Sequence, residues 1–264
     1  RYLLNQSIDF DICHENKKIP NFKDYETIYC SPGISKDIFE ELDKNFNVLT
    51  DIDIFFRKDK SIKIGITGTN RKSTTCYHLY QLFQQNSSVN LIGNIGNPVL
   101  DSLNNGSKFS IIEFSSFQLH KAKEINLDFG VLLNLSKDHL DYHGTFKDYK
   151  KAKKRICEAD KFSSCSNPYK LYEWITGKKS SKVELKNLPH RFEILSSNYI
   201  NDSKSTNSHS LQYALNKANE FFKDNYALIM CGNPKKEKIK SLNIHGPSMI
   251  CIFGKHKKLQ TLFY

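Results

Sequence analysis

Seven consecutive residues, Gly68-Thr69-Asn70-Arg71-Lys72-Ser73-Thr74, follow the apolar run Ile62-Lys63-Ile64-Gly65-Ile66. A strand that empties into a short glycine-led loop, with a helix opening at Ser73, is the layout of a nucleoside triphosphate site. In such a loop the backbone N–H groups and the helix N-terminus hold the phosphates, a lysine (Lys72) reaches the outer phosphate oxygens, and a hydroxyl (Ser73) ligates Mg²⁺. Arg71 departs from that layout. The position before the lysine is usually glycine, because the loop bends sharply there, and a side chain forced to positive φ costs about 1–3 kcal/mol. A chance G-x-x-x-K-S string in a lysine-rich chain is the bland alternative, and the rest of the sequence weighs against it.

Three further residues have types and positions suited to the same chemistry. Glu113 ends the run Ser110-Ile111-Ile112-Glu113, which places a carboxylate at the C-terminal edge of a parallel sheet, where ligands of open α/β sheets bind. Mg²⁺ prefers oxygen donors shared between protein, water and nucleotide, so a carboxylate beside a phosphate loop is a natural ligand for it; a helix-capping acid is the alternative. His139, in Asp138-His139-Leu140-Asp141, follows another apolar run and so lies on the same edge, a candidate second metal ligand. Lys153 falls on the apolar stripe Phe146, Tyr149, Ile156 of a helix from Phe146 to Ile156. A lysine on an inner face either snorkels to water or loses its charge on burial. Further along, Asn201-Asp202-Ser203-Lys204-Ser205-Thr206-Asn207 gathers an acid, a lysine and hydroxyls beyond Tyr199-Ile200, with His190-Arg191 upstream. Alone, that string could be a polar turn with a helix cap.

The elements that must position these groups alternate between apolar runs and amphipathic stretches, which implies an α/β protein with parallel sheets. Expected strands are Glu26–Cys30, Asn47–Leu49, Ile62–Ile66, Val89–Ile92, Phe109–Glu113, Phe129–Leu135, Tyr226–Met230 and Met249–Phe253, with helices at Lys36–Asn45, after Ser73, at Phe146–Ile156 and at Ser210–Phe222. Between Lys161 and Lys186 the chain is polar and short of pattern. With 264 residues, 39% hydrophobic and 25% charged, the composition is that of a globular protein with room for two or three domains. No apolar run approaches a membrane span and no signal sequence is visible, so no membrane insertion and a cytoplasmic location are expected. The seven cysteines are scattered singly, against both a disulfide framework and a zinc site. A formal charge of +11 invites nucleic acid as a partner, but only five of the 39 basic residues are arginine. The lysine runs at 150–154, 235–240 and 255–258 carry no interleaved aromatics suited to stacking, so no nucleic acid is expected.

Taken in order, Ser31-Pro-Gly-Ile34, Gly68–Thr74, Gly93-Asn-Ile-Gly96, Glu113-Phe-Ser-Ser-Phe-Gln-Leu119, Asp138-His-Leu-Asp141, Ala152-Lys153, Pro189-His-Arg-Phe192 and Asn201–Asn207 resemble the motifs of the Mur ligase family, and within it those of the D-glutamate-adding ligases. The resemblance implies a three-domain α/β architecture: an incomplete N-terminal Rossmann-like domain (1–57) for the UDP substrate, a shortened central P-loop ATPase-like domain (58–187), and an incomplete C-terminal Rossmann-like domain (188–264). It implies a monomer that uses ATP and two Mg²⁺ ions to join D-glutamate to UDP-N-acetylmuramoyl-L-alanine through an acyl phosphate, in peptidoglycan synthesis. Carried over by position, Gly68, Thr69, Asn70, Lys72, Ser73 and Thr74 would hold the ATP phosphates. Ser73, Glu113, His139 and Lys153, the last as a carbamate, would serve the metals, and Asn94 the muramoyl substrate. Arg191 and Asp202 would bind nucleotide, with Lys204 and Thr206 near the transferred groups, and domain closure would bring the third domain onto the second. Catalysis would assign Lys72, His139, Lys153 and Lys204 to positioning and charge neutralisation.

The sequence departs from the family pattern at Arg71, in the absence of the first strand and glycine-rich turn of the UDP-binding domain, in a short stretch between Ile156 and Leu188 that lacks an adenine-side contact, at Asn233-Pro234-Lys235 after Gly232, and in the absence of C-terminal strands past Tyr264. The intact motifs favour a working ligase; the departures favour a non-catalytic remnant with residual nucleotide or UDP-sugar binding. Replacing Arg71 with glycine is expected to tighten ATP binding, measured by titration calorimetry, and an unchanged affinity would count against the strain argument.

Overall fold

Residues Phe109 to Glu113 are buried on both faces, as a central strand of a parallel sheet must be. The computed structural model describes residues 2–13, 21–181, 183–223, 225–231 and 244–253. In chain order the strands are β1 (Ile28–Tyr29), β2 (Val48–Leu49), β3 (Ile62–Thr67), β4 (Val89–Gly93), β5 (Phe109–Glu113), β6 (Phe129–Leu132), β7 (Lys161–Ser163), β8 (Glu193–Ser196), β9 (Tyr199–Asn201), β10 (Ala227–Cys231) and β11 (Met249–Phe253). The helices are α1 (Tyr2–Asn5), α2 (Lys36–Asn45), α3 (Asp51–Lys58), α4 (Lys72–Gln84), α5 (Ser116–Lys121), α6 (Leu140–His143), α7 (Phe146–Lys154), α8 (Pro168–Thr176) and α9 (Ser208–Phe222). Two compact units divide the chain, residues 1–186 and 187–264.

In the first unit a five-stranded all-parallel sheet runs β4-β5-β3-β6-β7. Both faces are covered, because adjacent residues along each strand point opposite ways. Ile112, with Phe114 beyond the strand, meets Ile52, Phe55 and Phe56 of α3, Leu119 of α5, and Ile156. Ile64, Ile66, Ile111 and Val131 face Leu79, Leu82 and Phe83 of α4 and Leu171 and Tyr172 of α8. The chain leaves β3 for β4 and β5 on one side and returns to β6 on the other, so β3 sits at the switch of strand order. The carboxyl ends of β3, β5 and β6 therefore converge on one edge, the place where this topology presents ligand-binding loops. Ahead of the sheet, β1 and β2 form a short parallel pair packed on α2 through Cys30, Phe39, Leu42 and Val48.

The second unit holds a β8–β9 antiparallel hairpin, a β10–β11 parallel pair, and α9. Among the described residues no helix is long and apolar enough to cross a membrane.

Several expectations are corrected. The helix after the loop opens at Lys72 rather than Ser73. The run at 129–135 is strand only to Leu132, and the run at 26–30 pairs only at Ile28 and Tyr29. The 161–186 stretch is not patternless: Lys161–Ser163 adds an edge strand beside β6, and Asn167 caps α8 by accepting from the amides of Tyr169 and Lys170. The helix at Phe146 changes to a 3₁₀ turn at Arg155–Glu158, which still buries Ile156. The lysine runs at 235–240 and 255–258 and the Gly232–Lys235 departure lie outside the described residues.

One close approach fixes how that turn docks on the sheet. A Cβ added at Gly130 in β6 would lie 2.2 Å from the carbonyl oxygen of Ile156 and 2.9 Å from Cβ of Ala159. Gly130→Ala is expected to destabilise the protein by about 1–3 kcal/mol through forced backbone displacement, read as a lower midpoint in urea.

Candidate active site at the carboxyl edge of the sheet

The loop between β3 and α4 is built around a left-handed residue. Arg71, the residue before α4, has φ 65° and ψ 6° and is exposed, so the positive φ expected from its position is present. The loop keeps its shape through Asn134, which lies beyond β6. The amides of Thr69 and Asn70 donate to the backbone oxygen and to Oδ1 of Asn134 at 2.9 and 2.8 Å, and Asn134 Nδ2 donates to Asn70 O at 2.9 Å. Thr69 Oγ1 accepts from the Ser136 amide and lies 2.9 Å from the Tyr149 hydroxyl. Lys72 Nζ donates to Thr69 O at 2.9 Å. Ser73 and Thr74 occupy the first turn of α4, the end that favours anions.

Glu113 is 1% exposed at the end of β5, one strand from the loop. Its Oε1 accepts from Asn94 Nδ2 at 3.0 Å, and its backbone oxygen accepts from the Asn94 amide at 2.9 Å. Asn94 reaches both because Gly93 and Gly96 turn the chain at φ 100° and 79°; a Cβ at Gly93 would meet Glu113 O at 2.5 Å. Glu113 Oε2 is buried and has no hydrogen-bond partner among the described residues. A buried carboxylate oxygen left unsatisfied is costly, and a hard divalent cation is the partner whose chemistry fits it.

Lys153 is 2% exposed, as its place on the stripe predicts. Its Nζ donates to Thr67 Oγ1 at 3.0 Å, and Thr67 Oγ1 in turn donates to Phe114 O at 2.8 Å. Burial, reinforced by the positive charge of Lys72, holds its pKa well below the usual lysine value, with Glu113 and Asp138 opposing the shift. Among the described residues neither Glu113 nor Lys153 forms an ion pair.

His139 stands half-buried ahead of α6 at φ 50°, its Nε2 3.6 Å from Asp138 Oδ2 and its ring 4.8 Å from Phe117 and 6.5 Å from Tyr149. Next to it His143 is 1% exposed, its Nε2 has no hydrogen-bond partner among the described residues, and burial pushes its pKa down to about 4. Beside this edge opens a cleft of about 420 Å³, lined by Pro32 and Gly33 from the segment after β1 and by Asn94, Phe117 and Gln118 from the sheet edge and α5.

The first unit thus gathers Gly68, Thr69, Asn70, Lys72, Ser73, Thr74, Asn94, Glu113, His139 and Lys153 on one edge. Thr67, Asn134 and Tyr149 join them without having been singled out from the sequence for that role; only the burial of Tyr149 was legible. In the second unit Asp202 Oδ1 accepts from the Phe192 amide at 2.8 Å and its Oδ2 from Ser205 Oγ, which ties the Pro189–Phe192 segment carrying Arg191 to the strand end. The Lys204 amide donates to His190 O at 3.1 Å, and the side chains of Lys204 and Thr206 are exposed.

Comparison with known proteins places the chain in a family. The chain is 33% identical over 172 residues to a UDP-N-acetylmuramoylalanine--D-glutamate ligase of Corynebacterium efficiens, covering 60% of this chain and 36% of the relative. It is 37% identical over 147 residues to the ligase of the same name from Desulfitobacterium hafniense, covering 53% and 32%. The chain thus spans about a third of the length of these curated relatives. A MurF ligase from Thermotoga maritima, crystallised with ADP, superposes with a TM-score of 0.62 at 14% identity, over 90% of this chain and 84% of that one, a likeness of fold. Residues 66–227, more than half the chain and including the phosphate loop, Glu113, His139 and Lys153, match the Mur ligase middle domain: the chain belongs to the Mur ligase family.

Proposed function

We propose that this chain carries the nucleotide and acceptor sites of an ATP-dependent ligase that joins D-glutamate to UDP-N-acetylmuramoyl-L-alanine in peptidoglycan synthesis. The observation that carries this reading is the buried Glu113 Oε2, without a partner among the described residues, beside a phosphate loop that Asn134 holds in place. The names of the most similar relatives and the Glu113–Leu119 string support D-glutamate as the amine. Residues 1–57, 58–187 and 188–264 are assigned to substrate, ATP and ligase domains respectively.

In the reaction the acceptor's carboxylate oxygen attacks the γ-phosphorus of ATP, and the bond to the β-bridging oxygen breaks, giving ADP and an acyl phosphate. The D-glutamate amine then adds to the acyl carbon, loses a proton, and expels inorganic phosphate. Gly68, Thr69, Asn70 and Thr74 shape the phosphate cradle, and Lys72 sets a positive charge against it. Asn94, fixed by two hydrogen bonds to Glu113, lines the cleft assigned to the acceptor. Ser73, Glu113, His139 and Lys153 would hold two Mg²⁺ ions, which when bound supply neutralisation of phosphoryl charge. The depressed pKa of Lys153 favours the neutral amine, the form able to take up CO₂ as a carbamate and so become an oxygen donor. In the second unit Arg191 and Asp202 are assigned to the nucleotide, and Lys204 and Thr206 to the transferred groups.

The test is phosphate release from ATP with Mg²⁺, bicarbonate, UDP-N-acetylmuramoyl-L-alanine and D-glutamate, each omitted in turn. Release is expected only when both substrates are present; none from folded protein supports the non-catalytic reading, toward which the strained Arg71 points. Glu113→Gln is expected to lower the rate by about 100-fold or more, on the order of 3 kcal/mol of barrier, while leaving the thermal midpoint unchanged or raised.

A further inference from the structure

The last residue of α5, Lys121, is 2% exposed and takes no part in the phosphate site. Its Nζ donates to two backbone carbonyls, Pro32 O and Ile34 O, each at 2.6 Å. The same nitrogen lies 5.7 Å from the ring of Phe39 and 5.3 Å from that of Tyr142. Among the described residues no carboxylate pairs with it, so the cost of burying the charge is offset by carbonyl dipoles and π faces alone. Burial pushes its pKa down to about 8, against a small opposing effect of Cys30.

Both acceptors belong to Ser31–Ile34, the segment that leaves β1. That segment is anchored at its ends by Cys30 N to Leu49 O at 2.9 Å and by the start of α2, and Ile34 packs on the cluster of Cys30, Phe39, Leu42 and Val48, but between those anchors its own backbone bonds are only Ile34 N to Ser31 O at 3.2 Å and Gly33 N to Ser31 Oγ at 3.3 Å. Pro32 and Gly33 form one wall of the 420 Å³ cleft, while Phe117 and Gln118, on the helix that Lys121 ends, contribute to the other. The second wall is rigid, since Asn94 is bonded twice to Glu113 and Gln118 closes a capping box with Ser115. The width of the cleft therefore depends on where the Ser31–Ile34 segment is held between its anchored ends, and there Lys121, from the helix that also carries Phe117 and Gln118, binds two of its carbonyls.

We propose that Lys121 is a positioning residue that tethers the Ser31–Ile34 wall across the cleft and thereby sets its affinity for the acceptor nucleotide-sugar. This rests on the reading of the cleft as the acceptor's site, so the test has one arm that does not. Hydrogen–deuterium exchange at the Gly33 and Ile34 amides, and calorimetric binding of UDP-N-acetylmuramoyl-L-alanine and of ATP, are compared in the full chain and in Lys121→Met and Lys121→Arg. In Lys121→Met the two amides are expected to exchange about tenfold faster. Acceptor affinity should fall by about tenfold with ATP affinity held within about twofold, and Lys121→Arg, which keeps charge and donors, should recover most of the loss. Unchanged exchange, or equal losses of acceptor and ATP affinity, overturns the proposal. If the unsubstituted chain binds no acceptor, the functional reading fails and the exchange comparison alone decides the tether. Should Lys121→Met not fold, Lys121→Gln carries the same comparison.

Discussion

Glu113 and Lys153 are removed from water at the same sheet edge, and neither is neutralised by a partner of opposite charge among the described residues. Burying an ionisable group this way costs several kcal/mol, so the surroundings must enforce it. The enforcement is visible in backbone: β5 places Glu113 between β4 and β3, the Gly93–Gly96 turn brings Asn94 onto one carboxylate oxygen, and α7 drives Lys153 against Thr67. The two groups respond differently to burial. Burial lowers the lysine's pKa and so works against its charged form; the carboxylate has an oxygen without a donor among the described residues, a demand that a bound cation would meet.

The opposite edge of the sheet has no such demand. Asp59 accepts from the amides of Ser61 and Asn104, Lys63 Nζ donates to the carbonyls of Asp59 and Ser61, and Asn90, Asn105, Ser107 and Ser110 share a set of reciprocal side-chain bonds. Asp59, Ser61, Lys63, Asn90 and Ser110 are buried there with their hydrogen bonds made inside the chain, which stabilises the strand ends. One sheet thus separates its two tasks along the strand direction.

Much of this was legible in order of physical signal. Ile62–Thr67 and Phe109–Glu113 are short apolar runs and read directly as strands. Lys153 was visible because it lies seven residues beyond Phe146 and four beyond Tyr149, a spacing that fixes its face whatever surrounds the helix. The left-handed backbone at Arg71 followed from the loop alone. β7 and α8 were missed: Lys161-Phe162-Ser163 is half-exposed and three residues long, and α8 buries little beyond Leu171 and Tyr172, although Asn167-Pro168 carries a helix-start signal. The Asn134 clamp, the contact of Tyr149 with Thr69 and the Lys121 tether join residues 64 to 89 positions apart. Contacts of that separation arise from strand order, which no local pattern encodes.

The Asn134 clamp has an entropic side. Its side chain both accepts from and donates to Asn70, while its backbone accepts from Thr69, so three bonds hold the loop between β3 and α4 before any phosphate arrives. A loop of free conformation would have to be ordered at the moment of binding, at a cost of about 1–2 kcal/mol per residue; here that ordering is completed during folding. The first-turn amides of a helix have no internal acceptors, so a polyphosphate meeting this loop finds α4 already aligned, and its binding energy is left for the phosphate contacts themselves.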